Sequence, residues 1–246
     1  MKKNWYIVNK LIQSQMVVVM TGSRLAAASG IEVLSELSLG IEKYVPEKLT
    51  LKFFHKDPKY LWDIIYDYLL QHRTAVPNAS HYVLSEMEKV GVLDMIITLD
   101  FSGLHRKAGT RHVIEFFGGL SHCYCTKCGN REVIDSCIRK ESTRLTEKYT
   151  DKTDQNTPVP LCKKCRGAMI PDIPLYDTPL DIHNLLAVEQ YALSADLMLI
   201  AGTSLKIGPI GLLPNITKRN GGTVAIINDS PTTFDSKANM IFKGNT

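Results

Sequence analysis

Six short, mostly apolar runs punctuate the chain: MVVVM (16–20), MIITL (95–99), HVIEFF (112–117), LMLIAG (197–202), VAIIN (224–228) and NMIFKG (239–244). They are too short for buried helices and too uniformly apolar for strands with one wet face. That is the pattern of parallel strands covered on both sides. Between them the period changes to that of helices. Asp57-Pro58 reads as an N-cap followed by proline in the first turn, and Leu61, Ile64, Ile65, Tyr68 and Leu69 then form one stripe. Asn78 caps a second helix carrying Val83, Leu84, Met87 and Val90, closed by Gly91. Pro209 opens a third with Leu212, Leu213 and Ile216, ending near Gly221-Gly222. The first residues read as a helix with Trp5, Val8, Leu11 and Ile12 on one face, feeding the first strand. The alternation predicts an α/β fold built on a parallel sheet.

Composition narrows the classes. A chain of 246 residues can bury a substantial core as one main domain with inserted lobes. With 44% hydrophobic and 22% charged residues it is an ordinary globular chain. The net charge of +4, with no long basic block, gives no nucleic-acid signal. Asn9, Lys10, Gln13, Ser14 and Gln15 interrupt anything resembling a signal peptide, and no apolar stretch is long enough to span a bilayer. No membrane association is expected, and the cytosol or nucleus is the expected compartment.

The cysteines carry the sharpest chemistry. Cys125/Cys128 and Cys162/Cys165 are two Cys-x-x-Cys knuckles, each able to grip one metal ion from one side. Brought together they make a closed tetrahedral tetrathiolate, which suits structural Zn²⁺ and leaves no open position for chemistry. Lys127, Lys163 and Lys164 partly offset its negative charge. The gap of about 33 residues exceeds that of a compact ribbon, so the polar stretch at 139–160 loops out as an insertion. Two surface disulfides or unrelated core thiols are the alternatives. Cys123 and Cys137 are left over as reduced spectators, which fits a reducing compartment.

Two strand ends carry nucleotide-style turns. The first strand runs into Thr21-Gly22-Ser23 and a small-residue helix, whose free N–H groups suit a phosphate. Gly202-Thr203-Ser204 repeats the idea with two hydroxyl donors. Alone each is a weak signal, since small residues at such turns often serve packing only.

Put in order, the segments TGSRLAAASGI (21–31), PNASH (77–81), TLDFSGLHRKAGTRHVIEFFGGL (98–120), CTKCG (125–129), CKKCRGAMIPDIPLYD (162–177), IAGTSLKIGP (200–209) and VAIINDSPTTFD (224–235) resemble the sirtuin family, the NAD-dependent protein deacylases. The run Gly103–Gly109, followed by VIE and a CxxC, is the most specific of them. The resemblance implies a Rossmann-like domain of residues 1–33, 77–120 and 178–246. It also implies a smaller lobe made of a helical insert, 34–76, and a zinc-binding module, 121–177. NAD and an acyl-lysine protein or peptide meet in a cleft between the two. By the same resemblance Gly22, Ser23, Asp100, Gly202, Thr203, Ser204, Asn228, Gly244 and Asn245 bind the NAD or ADP-ribose-like ligand.

The departures from the family cluster at the reacting end of NAD. Where the family has leucine, histidine and glycine after VIE, this chain has Phe116, Phe117 and Gly118. Phe117 therefore occupies the position of the general base, so no catalytic residue is assigned. Leu99, Asp100 and Ser102 replace the glutamine, asparagine and aspartate of the nicotinamide pocket, and Arg24 replaces the second glycine of the first loop. The nicotinamide lid has become Glu32-Val33-Leu34-Ser35, and Ser230 replaces an acid near the ribose. In the peptide-pairing segment stand Ile173, Pro174, Tyr176, Asp177 and Thr178, where proline offers no N–H to a ladder. His105 and His81 read as loop-fixing, capping or core histidines; Tyr60, Tyr66 and Tyr68 read as packing. His122 is a spare neighbour of the metal shell. The expectation is a divergent sirtuin-fold protein that binds NAD or an ADP-ribose-like ligand, with ordinary lysine deacylation weak or lost. Two alternatives stand beside it: an active deacylase or ADP-ribosyltransferase of altered chemistry, and a partner-binding pseudoenzyme with an empty cleft.

Overall fold

The computed structural model describes residues 2–31, 46–138 and 158–244. Residues 32–35 of the altered lid, the insertion at 139–157, and Asn245 and Thr246 lie outside them. In chain order the strands are β1 (Val17–Thr21), β2 (Met95–Thr98), β3 (Val113–Glu115), β4 (His122–Cys125), β5 (Arg131–Val133), β6 (Met169–Pro171), β7 (Leu197–Ala201), β8 (Thr223–Asn228) and β9 (Met240–Lys243). The α-helices named below are α1 (Lys2–Gln13), α2 (Arg24–Ala27), α3 (Leu51–Phe54), α4 (Pro58–Thr74), α5 (Ala79–Lys89), α6 (Leu104–Lys107), α7 (Ile182–Ser194) and α8 (Leu213–Arg219). The chain divides into two compact units.

The first unit comprises Met1–Val33, Ala75–Phe116 and Leu180–Thr246. It holds a six-stranded sheet in the order β3-β2-β1-β7-β8-β9, parallel at every pairing. All six apolar runs became its strands. Val19 pairs with Ile96 on one side and Leu199 on the other, and the first four residues of β1 are at most 1% exposed. Covering both faces explains why no polar alternation was visible in these strands. The chain adds strands in one direction from β1 and in the other from β7. The order therefore reverses between these two neighbours, which is where open α/β sheets place their ligands.

Helix faces followed the sequence less closely. In α1, Trp5, Val8 and Ile12 are exposed, whereas Ile7 and Leu11 pack on the core. At roughly 100° per residue these residues form two distinct apolar stripes, and the pattern alone does not say which one docks. Asn78 does cap α5, yet Val83 and Val90 are exposed, and His81, Leu84 and Ser85 face inward. Leu84 and Met87 of the expected stripe pack on the core, while the rest of the inward face is polar and the apolar pattern does not mark it. After Pro209 a 3-10 turn at Ile210–Leu212 precedes α8, leaving Leu212 exposed and Leu213 buried.

The second unit comprises Leu34–Thr74 and Phe117–Pro179. In α4 the expected stripe is buried, and so are Trp62 and Tyr66. Such a helix belongs to an interior. The Trp62 indole N–H donates to the Met169 carbonyl at 2.8 Å, tying α4 to the antiparallel sheet β5-β4-β6. No helix among the described residues is long and apolar enough to cross a membrane.

Candidate functional site

In the second unit the two knuckles converge. The thiols of Cys125, Cys128, Cys162 and Cys165 lie within 4.8 Å of one another, with sulfur pairs Cys125–Cys165 at 3.4 Å and Cys128–Cys162 at 3.7 Å. A tetrahedral zinc tetrathiolate has sulfur–sulfur edges of about 3.8 Å, given Zn–S bonds of about 2.3 Å. The knuckles are built alike. Gly129 N–H donates to the Cys125 carbonyl and Arg166 N–H to the Cys162 carbonyl, each at 2.9 Å. Gly129 and Arg166 both take left-handed backbone, at φ 70° and 61°. Lys127 and Lys164 direct backbone N–H groups at Cys125 and Cys162 sulfur, each at 3.4 Å, which stabilises thiolate charge. Donor set, edges and N–H groups fit structural Zn²⁺. All six cysteines are free of disulfides, and Cys123 is buried. His122 stands outside the cluster, its ring nitrogen 2.9 Å from the Ser121 hydroxyl.

The peptide-pairing segment is folded on its own unit. Ile173 N–H donates to Pro171, Tyr176 N–H to Leu49, and Thr178 N–H to Leu175. Leu175 N–H is taken by the Thr178 hydroxyl. The Asp177 carboxylate accepts from Leu51 and Lys52 N–H at the start of α3. These backbone bonds hold the Asp177 carboxyl below its usual range.

In the first unit the expected cofactor residues gather at strand C-termini. Gly22 and Ser23 follow β1, Asp100 follows β2, Gly202–Ser204 follow β7, Asn228 ends β8 and Gly244 follows β9. Gly22 and Gly202 meet across the switch point. A Cβ on Gly22 would overlap the Gly202 carbonyl oxygen and come within 2.7 Å of Thr203 Cβ. A Cβ on Gly202 (φ +66°) would come within 2.7 Å of Leu25 nitrogen. The two turns thus pack backbone on backbone, a contact that only glycine allows. Asn228, 3% exposed, donates its amide to the Thr203 and Ser230 carbonyls. Its Oδ1 is buried with no hydrogen-bond partner among the described residues. A buried acceptor without a donor is costly, and a ligand hydroxyl would satisfy it. The cradle and this acceptor both fit an ADP-ribose-like group. The expected small-residue helix is a single turn, α2.

Asp100 is buried and accepts the Ser102 N–H at 3.3 Å, closing the turn after β2. Leu99 is buried, its N–H continuing the ladder to Thr21.

Next to the first loop lies a polar core in which the two histidines meet. Asn78 caps α5 and donates its amide to the Leu25 carbonyl and Ser29 hydroxyl just after that loop. His81 returns the cap, and its ring stands 4.9 Å from that of His105. His105 Nε2 lies 2.9 Å from the Thr21 hydroxyl. Burial pushes His105 down to about 3, aided by the neighbouring His81, and pushes His81 down to about 4. Both are neutral at pH 7 and, with values so low, weak bases. Arg24 stands where the family has the second glycine of this loop. Its guanidinium reaches Asp229 Oδ1 at 3.2 Å and Ser230 Oγ at 2.9 Å.

Comparison with known proteins follows this geometry. A model described as the Sir2 family matches residues 41–209. The NAD-dependent protein deacetylase of Sulfurisphaera tokodaii is 34% identical over 236 residues, covering 95% of this chain and 87% of that protein. Among solved structures, a complex of Sir2 with a p53 peptide and NAD⁺ matches with a TM-score of 0.84 at 27% identity, covering 98% of this chain and 92% of that one. A Sir2 variant with tyrosine replacing a histidine, bound to a p53 peptide and NAD, matches with a TM-score of 0.83 at 26% identity, covering 98% and 92%.

Proposed function

The chain belongs to the Sir2 family, and from that premise we propose that it holds NAD or an ADP-ribose-like ligand while ordinary lysine deacylation is weak or lost. The reading is supported by a contrast between what the chain keeps of the family pattern and what it changes. The glycine cradle at Gly22 and Gly202 and the open acceptor of Asn228 are kept, while Phe117 stands where the family has its histidine. A phenyl ring accepts no proton, and loss of a general base costs typically 10²–10⁴-fold. Binding need not follow that loss: the Sir2 variant with tyrosine for a histidine was solved with both peptide and NAD.

In this reading Gly22, Ser23, Gly202, Thr203, Ser204 and Asn228 hold the ADP-ribose part, joined by Asp100, Gly244 and Asn245. Bound NAD supplies a cleavable nicotinamide–ribose bond. An acyl-lysine protein is the partner class. Its pairing segment supports weak recognition, because the N–H groups of Ile173, Leu175, Tyr176 and Thr178 are already engaged. Zinc through the four knuckle cysteines is structural.

A second reading has its own support, since the relative from Sulfurisphaera tokodaii is named a deacetylase. Cleavage of the nicotinamide bond does not itself need the histidine, so deacylation by another base, or ADP-ribosyl transfer, is the alternative. Calorimetric titration with NAD and ADP-ribose, followed by a nicotinamide-release assay with an acetyl-lysine peptide, separates them. Binding without turnover supports the first reading, and peptide-dependent nicotinamide release the second. Absence of binding supports a partner-binding protein with an empty cleft.

A further inference from the structure

Arg24 joins three neighbouring strand ends. Its backbone N–H donates to the Gly202 carbonyl at 3.3 Å, fixing it to the turn after β7. Its side chain reaches the turn after β8, where the guanidinium meets Asp229 and Ser230. Ser230 in turn donates to the same Asp229 oxygen at 2.8 Å. Because the sheet order is β1-β7-β8, this strap runs from the β1 turn to the β8 turn, with β7 between them. It therefore lies beside the Gly22–Gly202 cradle and the unsatisfied Asn228 oxygen.

We propose that Arg24 is a specificity-determining residue of the nucleotide site, which exchanges its Asp229–Ser230 latch for the diphosphate of an ADP-ribose-type ligand. This rests on the nucleotide-binding reading above and adds to it what the site selects. The latch is easily given up, since its side chains are 27% and 45% exposed and ion pairs so placed are weak and screened by salt. A diphosphate offers more charge and several acceptors at once, and guanidinium–phosphate contacts are among the stronger hydrogen bonds. Asp229 then acts as a competitor for Arg24, and the ligand's phosphates displace a carboxylate. The site is thereby tuned to diphosphate-bearing ligands over neutral nucleosides.

The test titrates ADP-ribose and adenosine into the zinc-loaded chain, as wild type, Arg24→Gln and Asp229→Asn, at low and high salt. Arg24→Gln should weaken ADP-ribose binding about tenfold and flatten its salt dependence, with adenosine unaffected. Asp229→Asn should tighten ADP-ribose binding about two- to fivefold by removing the competitor. Equal or tighter ADP-ribose binding by Arg24→Gln, at an unchanged unfolding midpoint, overturns the proposal and makes the strap an obstruction. Uniform loss of affinity for both ligands also overturns it, as that is a structural effect. If wild type binds neither ligand, the nucleotide-binding reading itself fails, an outcome distinct from an Arg24 substitution without effect.

Discussion

Gly22 and Gly202 approach so closely that a Cβ on the first would overlap the carbonyl oxygen of the second. The contact is backbone on backbone at the reversal of strand order, and neither loop can yield by rotating a side chain. Gly22→Ala should therefore part the β1 and β7 turns, at a cost of about 1–3 kcal/mol of stability, as overpacking does. It should also weaken ADP-ribose binding. Urea unfolding and calorimetry of the same variant check both, and an unchanged unfolding midpoint would show that the turns separate freely.

The His81–His105 pair makes a pH prediction of definite sign. Both histidines are depressed in the folded state, to about 4 and about 3, while the unfolded chain protonates near the ordinary value of about 6.5. Between those limits the unfolded state binds more protons, so stability is complete above pH 6.5 and falls as the solution is acidified. Each histidine contributes a slope of up to about 1.4 kcal/mol per pH unit in that window. Denaturant unfolding at pH 7, 6 and 5 should reveal the decline, and His105→Gln should flatten it. A stability that rises toward pH 5 would mean that these rings are charged in the fold.

The knuckles predict one zinc per chain. Cys128→Ser, or a strong chelator, should remove the metal and unfold or aggregate the protein, because the energy of ligation is folding energy for such a module. Elemental analysis gives the stoichiometry, and circular dichroism with light scattering follows the fold. Thiol counting after denaturation and chelation should then return all six cysteines reduced. A soluble, folded chain without zinc would overturn the assignment.

What was legible in the sequence follows from how local each signal is. The six strands announced themselves because burial on both faces leaves no polar alternation, and the zinc cluster because each knuckle needs only four residues to define it. Helix faces were less legible: α1 carries two apolar stripes, and α5 turns His81 and Ser85 inward, where His81 meets the His105 ring and the Ser85 hydroxyl is buried without a hydrogen-bond partner among the described residues. Arg24 was harder still. Its role depends on Asp229 and Ser230, some two hundred residues away, and no local pattern encodes that meeting. The self-satisfied N–H groups at Ile173–Thr178 were hidden for the same reason. Pro174 signalled a weakened ladder, while the bond from Tyr176 to Leu49 needed the fold.

Restoring catalysis is the most demanding test of the proposed function. Phe117→His alone should recover little deacetylation, because a base helps only when the reacting carbon of NAD is already positioned near it. Leu99, Asp100 and Ser102 differ from the family pattern as well, and all three are buried. Leu99→Gln places an amide in a buried position, costing about 1–3 kcal/mol unless it finds a partner. Asp100→Asn keeps the shape of the side chain but exchanges a carboxylate oxygen for an amide, and Ser102 N–H uses one of the Asp100 oxygens. Leu99→Gln, Asp100→Asn, Ser102→Asp and Phe117→His together should therefore exceed the single variant in nicotinamide release with an acetyl-lysine peptide, at some cost in thermal stability. Wild type should release nicotinamide at or near background. Robust peptide-dependent turnover by wild type would overturn the weak-deacylase reading and assign the base to a residue other than the one at 117. If the fourfold variant binds NAD yet stays silent, the missing element lies outside these four positions, and the lid at residues 32–35 becomes the next segment to restore.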